Sequence, residues 1–203
     1  MNIGMMGGTF DPIHNGHLAM AQETRTRLNL ARVVFVPAGQ PWMKSERPLT
    51  PAVHRLEMVR LAIAPYPYFR LSRIEIDRAG PTYTIDTITE LRAELAAGDE
   101  LYFILGWDSL AQLPQWRDVP RLIQICRLVA IPRPGYSRPD LKSLESKIPG
   151  LSQRLVLLDK PEIDISATDI RNRVAQGLPI SHLVPAPVAA YIKRHKLYIP
   201  QSD

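Results

Sequence analysis

The chain has a single cysteine, Cys126, among its 203 residues. A lone cysteine forms no internal disulfide and fills no C-x-x-C zinc or redox site, and it fits a reducing cytoplasm. No apolar run approaches the ~18 residues of a membrane span. The N-terminus, MNIGMMGGTF, lacks a basic head before an apolar stretch, so no secretory signal is expected. Internal repeats and low-complexity segments are missing. So are three familiar site motifs. No Lys follows the early glycines as a P-loop requires, Gly4, Gly7 and Gly8 have the wrong spacing for G-x-G-x-x-G, and H-E-x-x-H does not occur. The arginines are scattered rather than gathered into a basic tail, so a net charge of +5 suits an anionic ligand better than nucleic acid.

What is present is an alternation of short apolar runs and helical patterns. Strands are expected at Asn2–Met6, Val33–Val36, Arg70–Ile76, Leu101–Leu105, Arg127–Ile131 and Leu155–Leu158. Helices are expected at Gly16–Leu28, His54–Ala64, Ile85–Ala97, Thr168–Ala175 and Pro187–His195. The proline-rich stretch from 37 to 51 and PRPGYSRP read as loops. Strands alternating with helices predict an α/β, Rossmann-like, doubly wound parallel sheet covered on both faces. Length and pattern suit one domain over 1–203, with small C-terminal helices from about 165. In such sheets ligands bind at the carboxyl ends of strands, where the strand order switches. The Gly-rich and polar clusters follow Met6, Val36, Ile76, Leu105 and Ile131, at strand ends.

The densest cluster is GGTFDPIHNGHL, from Gly7 to Leu18. His14 and His17 lie one helical turn apart, and Asp11 is the one nearby candidate for a third metal ligand. A phosphate site fits better than a metal. The segment ends a first strand and starts a helix, where free backbone N–H groups and a positive dipole end face an anion. Gly16 removes a side chain where a phosphate must approach, and Thr9 adds a hydroxyl donor. The imidazoles then stand in for the P-loop lysine, either as cations or as neutral N–H donors.

GGTFDPIHNGH resembles the signature of the nucleotidyltransferase superfamily that carries an H-x-G-H motif. ISATDIR, Ile165–Arg171, resembles that superfamily's second motif, about 150 residues further on. VPAGQPWMK, RIEIDRAGPTYTIDT, FILGWDSL, LPQWRD and IPRPGY extend the resemblance over nearly the full length, to the bacterial nicotinate-nucleotide adenylyltransferases. The resemblance implies transfer of AMP from ATP to nicotinate mononucleotide, giving deamido-NAD and pyrophosphate, with magnesium carried by ATP. It implies no resident metal, nucleic acid or membrane partner, and it leaves homo-oligomerisation open.

The resemblance also implies roles for individual residues. His14, His17 and Arg171 would handle the ATP phosphates, helped by Gly7, Gly8, Thr9, Phe10, Gly16, Ile165, Ser166 and Thr168. Lys44 and Arg133 would reach the phosphates from loops. Gly106 and Asp108 would serve the nucleotide ribose, although Asp108 could instead cap the next helix. Thr82, Tyr83, Thr84 and Trp116 would hold nicotinate mononucleotide, with Trp116 stacking on the pyridine. Donors near Thr84 would accept a carboxylate and reject an amide. Trp107 departs from the family, which more often has a small residue there, and Ala167 in ISAT is a milder departure. Two other readings stay open. One is the same chemistry on nicotinamide mononucleotide or phosphopantetheine, which competition between acceptors would reveal. The other is a non-catalytic nucleotide-binding module, which binding without turnover would reveal.

Overall fold

The computed structural model describes residues 1–40 and 49–200. Its strands are β1 (Asn2–Gly8), β2 (Arg32–Pro37), β3 (Phe69–Leu71), β4 (Glu100–Gly106), β5 (Arg127–Ile131) and β6 (Leu155–Leu157). They form one sheet in the order β3-β2-β1-β4-β5-β6, every neighbouring pair parallel. The chain winds outward from β1 to β3, then crosses to the other side of β1 with β4. The strand order therefore switches between β1 and β4.

Period-two alternation assigns each strand residue to a face. Met6, Val33, Phe35, Tyr102, Ile104, Val129 and Ile131 point to one core. Ile3, Met5, Val36, Leu101, Phe103, Leu105, Leu128 and Ala130 point to the other. The first core is covered by α1 (Asn15–Arg27), α2 (Ala52–Ile63), α8 (Ala167–Ala175) and α9 (Ala186–Arg194). The second is covered by α3 (Thr84–Ala93), α4 (Trp107–Gln112), α5 (Val119–Ile125), α6 (Leu141–Lys147) and α7 (Leu151–Arg154). This is the doubly wound α/β architecture the sequence predicts.

Differences from the sequence reading are local. The strand expected over Arg70–Ile76 stops at Leu71, and Ser72 keeps one sheet bond by donating its amide to Phe35 O at 2.9 Å. Beyond it the chain turns, with Asp77 N on Arg73 O and an Arg73–Asp77 ion pair. In so short a run, strand alternation and a turn with an i,i+4 pair carry the same pattern. Helix α3 ends at Ala93 rather than Ala97, where turn bonds from Leu95 to Arg92 O and from Asp99 to Ala96 O replace it ahead of Gly98. Helices α4 to α7 are too short to show a periodicity and were not expected from it.

Candidate active site

Both histidines sit where β1 hands over to α1, beside the strand-order switch. His14 is the N-cap of α1, in extended backbone. Its ring stacks on that of His17, with centroids 3.7 Å apart and planes at 27°. The His14 backbone N–H donates to His17 Nδ1 at 3.3 Å. Accepting there leaves the His17 ring proton on Nε2. His14 is 7% exposed, and its Nδ1 has no hydrogen-bond partner. Burial, reinforced by the nearby Arg133 charge, pulls its pKa from 6.5 down to about 4. Of the two states the sequence leaves open, His14 therefore adopts the neutral one.

Gly16 is explained differently from the sequence reading. A Cβ there would lie 3.0 Å from His14 Nδ1 and 3.1 Å from Cε1. The glycine makes room for the His14 ring itself. A Cβ at Gly8 would lie 3.3 Å from the Phe10 ring, whereas at Gly7 it would meet only ordinary contacts. Phe10 has φ 47°, is 1% exposed, and sets its ring edge on His17 at 5.0 Å. Such a φ strains an aromatic residue, and the surrounding core holds it in place.

The second motif arrives from the far end of the chain. Arg171 Nη1 donates to the Asp11 carbonyl at 2.8 Å, and Nη2 to Thr168 Oγ1 at 3.0 Å. Ser166 caps α8, accepting from Asp169 N at 3.0 Å. Thr168 lies inside the first turn of the helix, and its hydroxyl accepts from Arg171. Ile165 packs half-buried against the first core. The two motifs are thus joined at Asp11.

Sequence reasoning missed what holds Asp11. Its carboxylate accepts from Tyr198 Oη at 2.8 Å and from Thr50 N at 3.3 Å. Arg55, 2% exposed, donates to Thr9 O at 2.9 Å, Ala38 O at 2.8 Å and Thr50 O at 2.8 Å. One guanidinium therefore ties together the loops that follow β1 and β2 and the start of α2. Burial lowers its pKa while Asp11 opposes the shift, and burial plus Asp11 pushes Tyr198 up. A signal for Arg55 existed: it lies on the buried stripe of α2 with Met58, Val59, Ala62 and Ile63. A charge on an apolar helix face needs buried partners.

On the other side of the switch, Gly106 is the N-cap of α4, so Asp108 lies inside the first turn and is not the cap. Arg133 Nη1 donates to Asp108 Oδ2. Arg133 is thus paired with Asp108, and its guanidinium also lies 5.8 Å from the Tyr136 ring. Among the described residues Asp108 Oδ1 is buried without a partner, as are Trp107 Nε1 and Trp116 Nε1. Tyr83, not Thr84, is the N-cap of α3, and Thr84 is the first helical residue. Thr82 is buried and clasps the loop after β2, its amide and hydroxyl donating to Gln40 O at 3.0 and 3.3 Å. The Arg117 guanidinium covers the Tyr83 ring at 4.6 Å, and Trp116 tilts against Phe103 at 5.9 Å. Tyr83, Trp107 and Trp116 all pack on the second core. Lys44 lies outside the described residues. Among the described residues no three His, Cys, Asp or Glu side chains gather as a metal cage. No helix among them is long and apolar enough to cross a membrane.

Residues 5–173 match the family model described as cytidylyltransferase-like. A protein of Dehalococcoides mccartyi named probable nicotinate-nucleotide adenylyltransferase is 53% identical over 98% of this chain and 97% of its own length. One of a Roseiflexus species with the same name is 50% identical over 97% of each chain. The fold resembles that of Plasmodium falciparum nicotinic acid mononucleotide adenylyltransferase complexed with NaAD, with TM-score 0.78, 23% identity and 97% of both chains covered.

Proposed function

The chain belongs to the cytidylyltransferase-like family, and from that premise we propose that it transfers the AMP moiety of ATP to nicotinate mononucleotide, releasing pyrophosphate and forming nicotinate adenine dinucleotide. The observation that carries the reading is the meeting of the two motifs, with Arg171 of α8 seated on Asp11 beside the stacked His14 and His17. Full-length relatives at about half identity bear the name of this activity.

The acceptor's phosphate oxygen is already a nucleophile, so no serine or cysteine needs activation. The protein's task is to line that oxygen up with the α-phosphorus and to stabilise charge on the departing pyrophosphate. In this reading His17 donates from Nε2, and Arg171 offers its charge to the leaving phosphates. His14 acts as a neutral donor. Thr9, Gly8 and Phe10 shape the turn, and the amides that open α1 receive phosphate oxygens. Asp108, with one oxygen on Arg133 and one unpartnered, is placed to accept from a ribose hydroxyl. Tyr83, Thr84 and Trp116 face the acceptor on the second core, where Trp116 offers a stacking surface for the pyridine. Lys44 remains part of the proposal as a phosphate ligand. In this reading the substrates meet at the carboxyl ends of β1 and β4, the triphosphate toward α1 and α8 and the mononucleotide toward α3, within a single working domain.

In this reading magnesium arrives with ATP, and the Asp11 carboxylate is engaged by Tyr198 and Thr50. When bound to ATP the ion supplies charge neutralisation on the phosphates. The deciding assay mixes ATP, magnesium and nicotinate mononucleotide with a coupled pyrophosphate readout. Turnover is expected, and turnover indistinguishable from a protein-free blank sinks the reading. Nicotinamide mononucleotide in the same assay measures the preference for acid over amide.

A further inference from the structure

We propose that Trp107 sets acceptor affinity, its indole N–H donating to an oxygen of the acceptor mononucleotide. The inference rests on nicotinate mononucleotide being that acceptor. Trp107 directly follows Gly106 at the carboxyl end of β4, next to β1 at the strand-order switch. Its ring is half-buried against the second core, the face that also carries Tyr83 and Trp116. The residues that join the two motifs, and the helices α1 and α8 that bear them, lie against the first core. The indole therefore stands on the acceptor's side of the sheet.

Its Nε1 is buried and has no hydrogen-bond partner among the described residues. A buried donor left unpaired is costly, native proteins keep few of them, and a bound group is one way to complete it. The adjacent Asp108 Oδ1 is buried and unpartnered too. An indole only donates, so its partner must present an oxygen lone pair. The mononucleotide offers hydroxyl, phosphate and carboxylate oxygens.

The test is calorimetry of nicotinate mononucleotide binding without ATP, on wild type and Trp107→Phe. The phenyl ring keeps an aromatic contact with the second core, smaller than the indole's, and removes the N–H. Kd is expected to rise about tenfold, with the Kd for a non-hydrolysable ATP analogue changing less than twofold. An unchanged mononucleotide Kd, or an equal loss for both ligands, overturns the proposal. Because binding is measured without turnover, a failed adenylyl-transfer assay would be a separate result. Should the variant fold poorly, 1H–15N spectra of the wild type serve instead. The Trp107 indole resonance, assigned by replacing Trp42 and Trp116 in turn, is expected to shift with the mononucleotide and not with the ATP analogue. No shift with the mononucleotide overturns the proposal as well.

Discussion

The rings of His14 and His17 stack at 3.7 Å, and the backbone N–H of the first donates to Nδ1 of the second. This pair is the centre of the candidate site, and each member has a separate consequence. The His17 orientation is fixed by the His14 amide, which leaves Nε2 as its donor. His14 itself is buried as a neutral ring.

A neutral, buried His14 makes stability depend on pH. Its folded pKa of about 4 lies below the ordinary 6.5, so the unfolded chain takes up the proton first. The contribution is full above about 6.5 and drains away as pH falls toward about 4. Between pH 7 and pH 5 the loss attributable to His14 should be roughly 2 kcal/mol. Urea unfolding of wild type and His14→Gln at both pH values measures it, the variant losing less on acidification. Parallel losses in the two proteins would exclude His14 as the cause.

Gly16→Ala should separate stability from activity. Alanine favours a helix over glycine by about 1 kcal/mol, but its Cβ would press on the His14 ring at 3.0 Å. The expected outcome is a melting temperature unchanged or slightly raised, with kcat/KM for ATP reduced at least tenfold. Wild-type kinetics in the variant would show that the ring moves aside without consequence.

Arg55→Met should be among the most damaging single changes. It strips the donor from Thr9 O, Ala38 O and Thr50 O and the counter-charge from Asp11. A loss of about 3–5 kcal/mol is expected, as for breaking a buried ion pair. Arg55→Lys should recover only part of it, because one ammonium cannot span all three carbonyls. Chemical denaturation of both variants reads the difference.

Arg171→Ala should lower kcat/KM by about two orders of magnitude, as expected for losing a charge that stabilises the leaving group. Stability should change by less than about 1 kcal/mol, because the side chain is partly exposed at Thr168. Steady-state kinetics beside thermal melts test this. A variant that unfolds would mark Arg171 as a structural strut.

Cys126 should resist thiol reagents in the native protein. It is 1% exposed, donates to Leu122 O, and burial pushes its pKa up to about 12. Thiolate is the reactive form. Labelling with a chromogenic disulfide should therefore follow unfolding in urea, and rapid labelling without denaturant would contradict the burial.

Much of the architecture was readable along the chain. The β-branched and apolar runs at Val33–Val36, Leu101–Leu105 and Arg127–Ile131 are strands within a residue or two. Strand–helix alternation implied the parallel sheet. Where the reading failed, at Arg70–Ile76 and the end of α3, the segments are short and flanked by turns that share the pattern of regular structure. At the site, sequence located the turn, the two histidines and the distant ISATDIR helix. It did not show that Gly16 makes room for the His14 ring, and it gave no hint of Tyr198 on Asp11.

By itself, then, the order of residues determined the α/β class, the strand-to-helix turn that bears the two histidines, and the two motifs, because periodicity and short motifs are local properties. The tertiary structure alone decided that His14 is neutral, that Arg171 rests on Asp11, and that Arg55 ties the turn after β1 to both ends of the β2–α2 connection. Each depends on partners 5 to 160 residues away or on a desolvation set by the packed core. Neither dielectric surroundings nor long-range contacts exist until the sheet has closed over them.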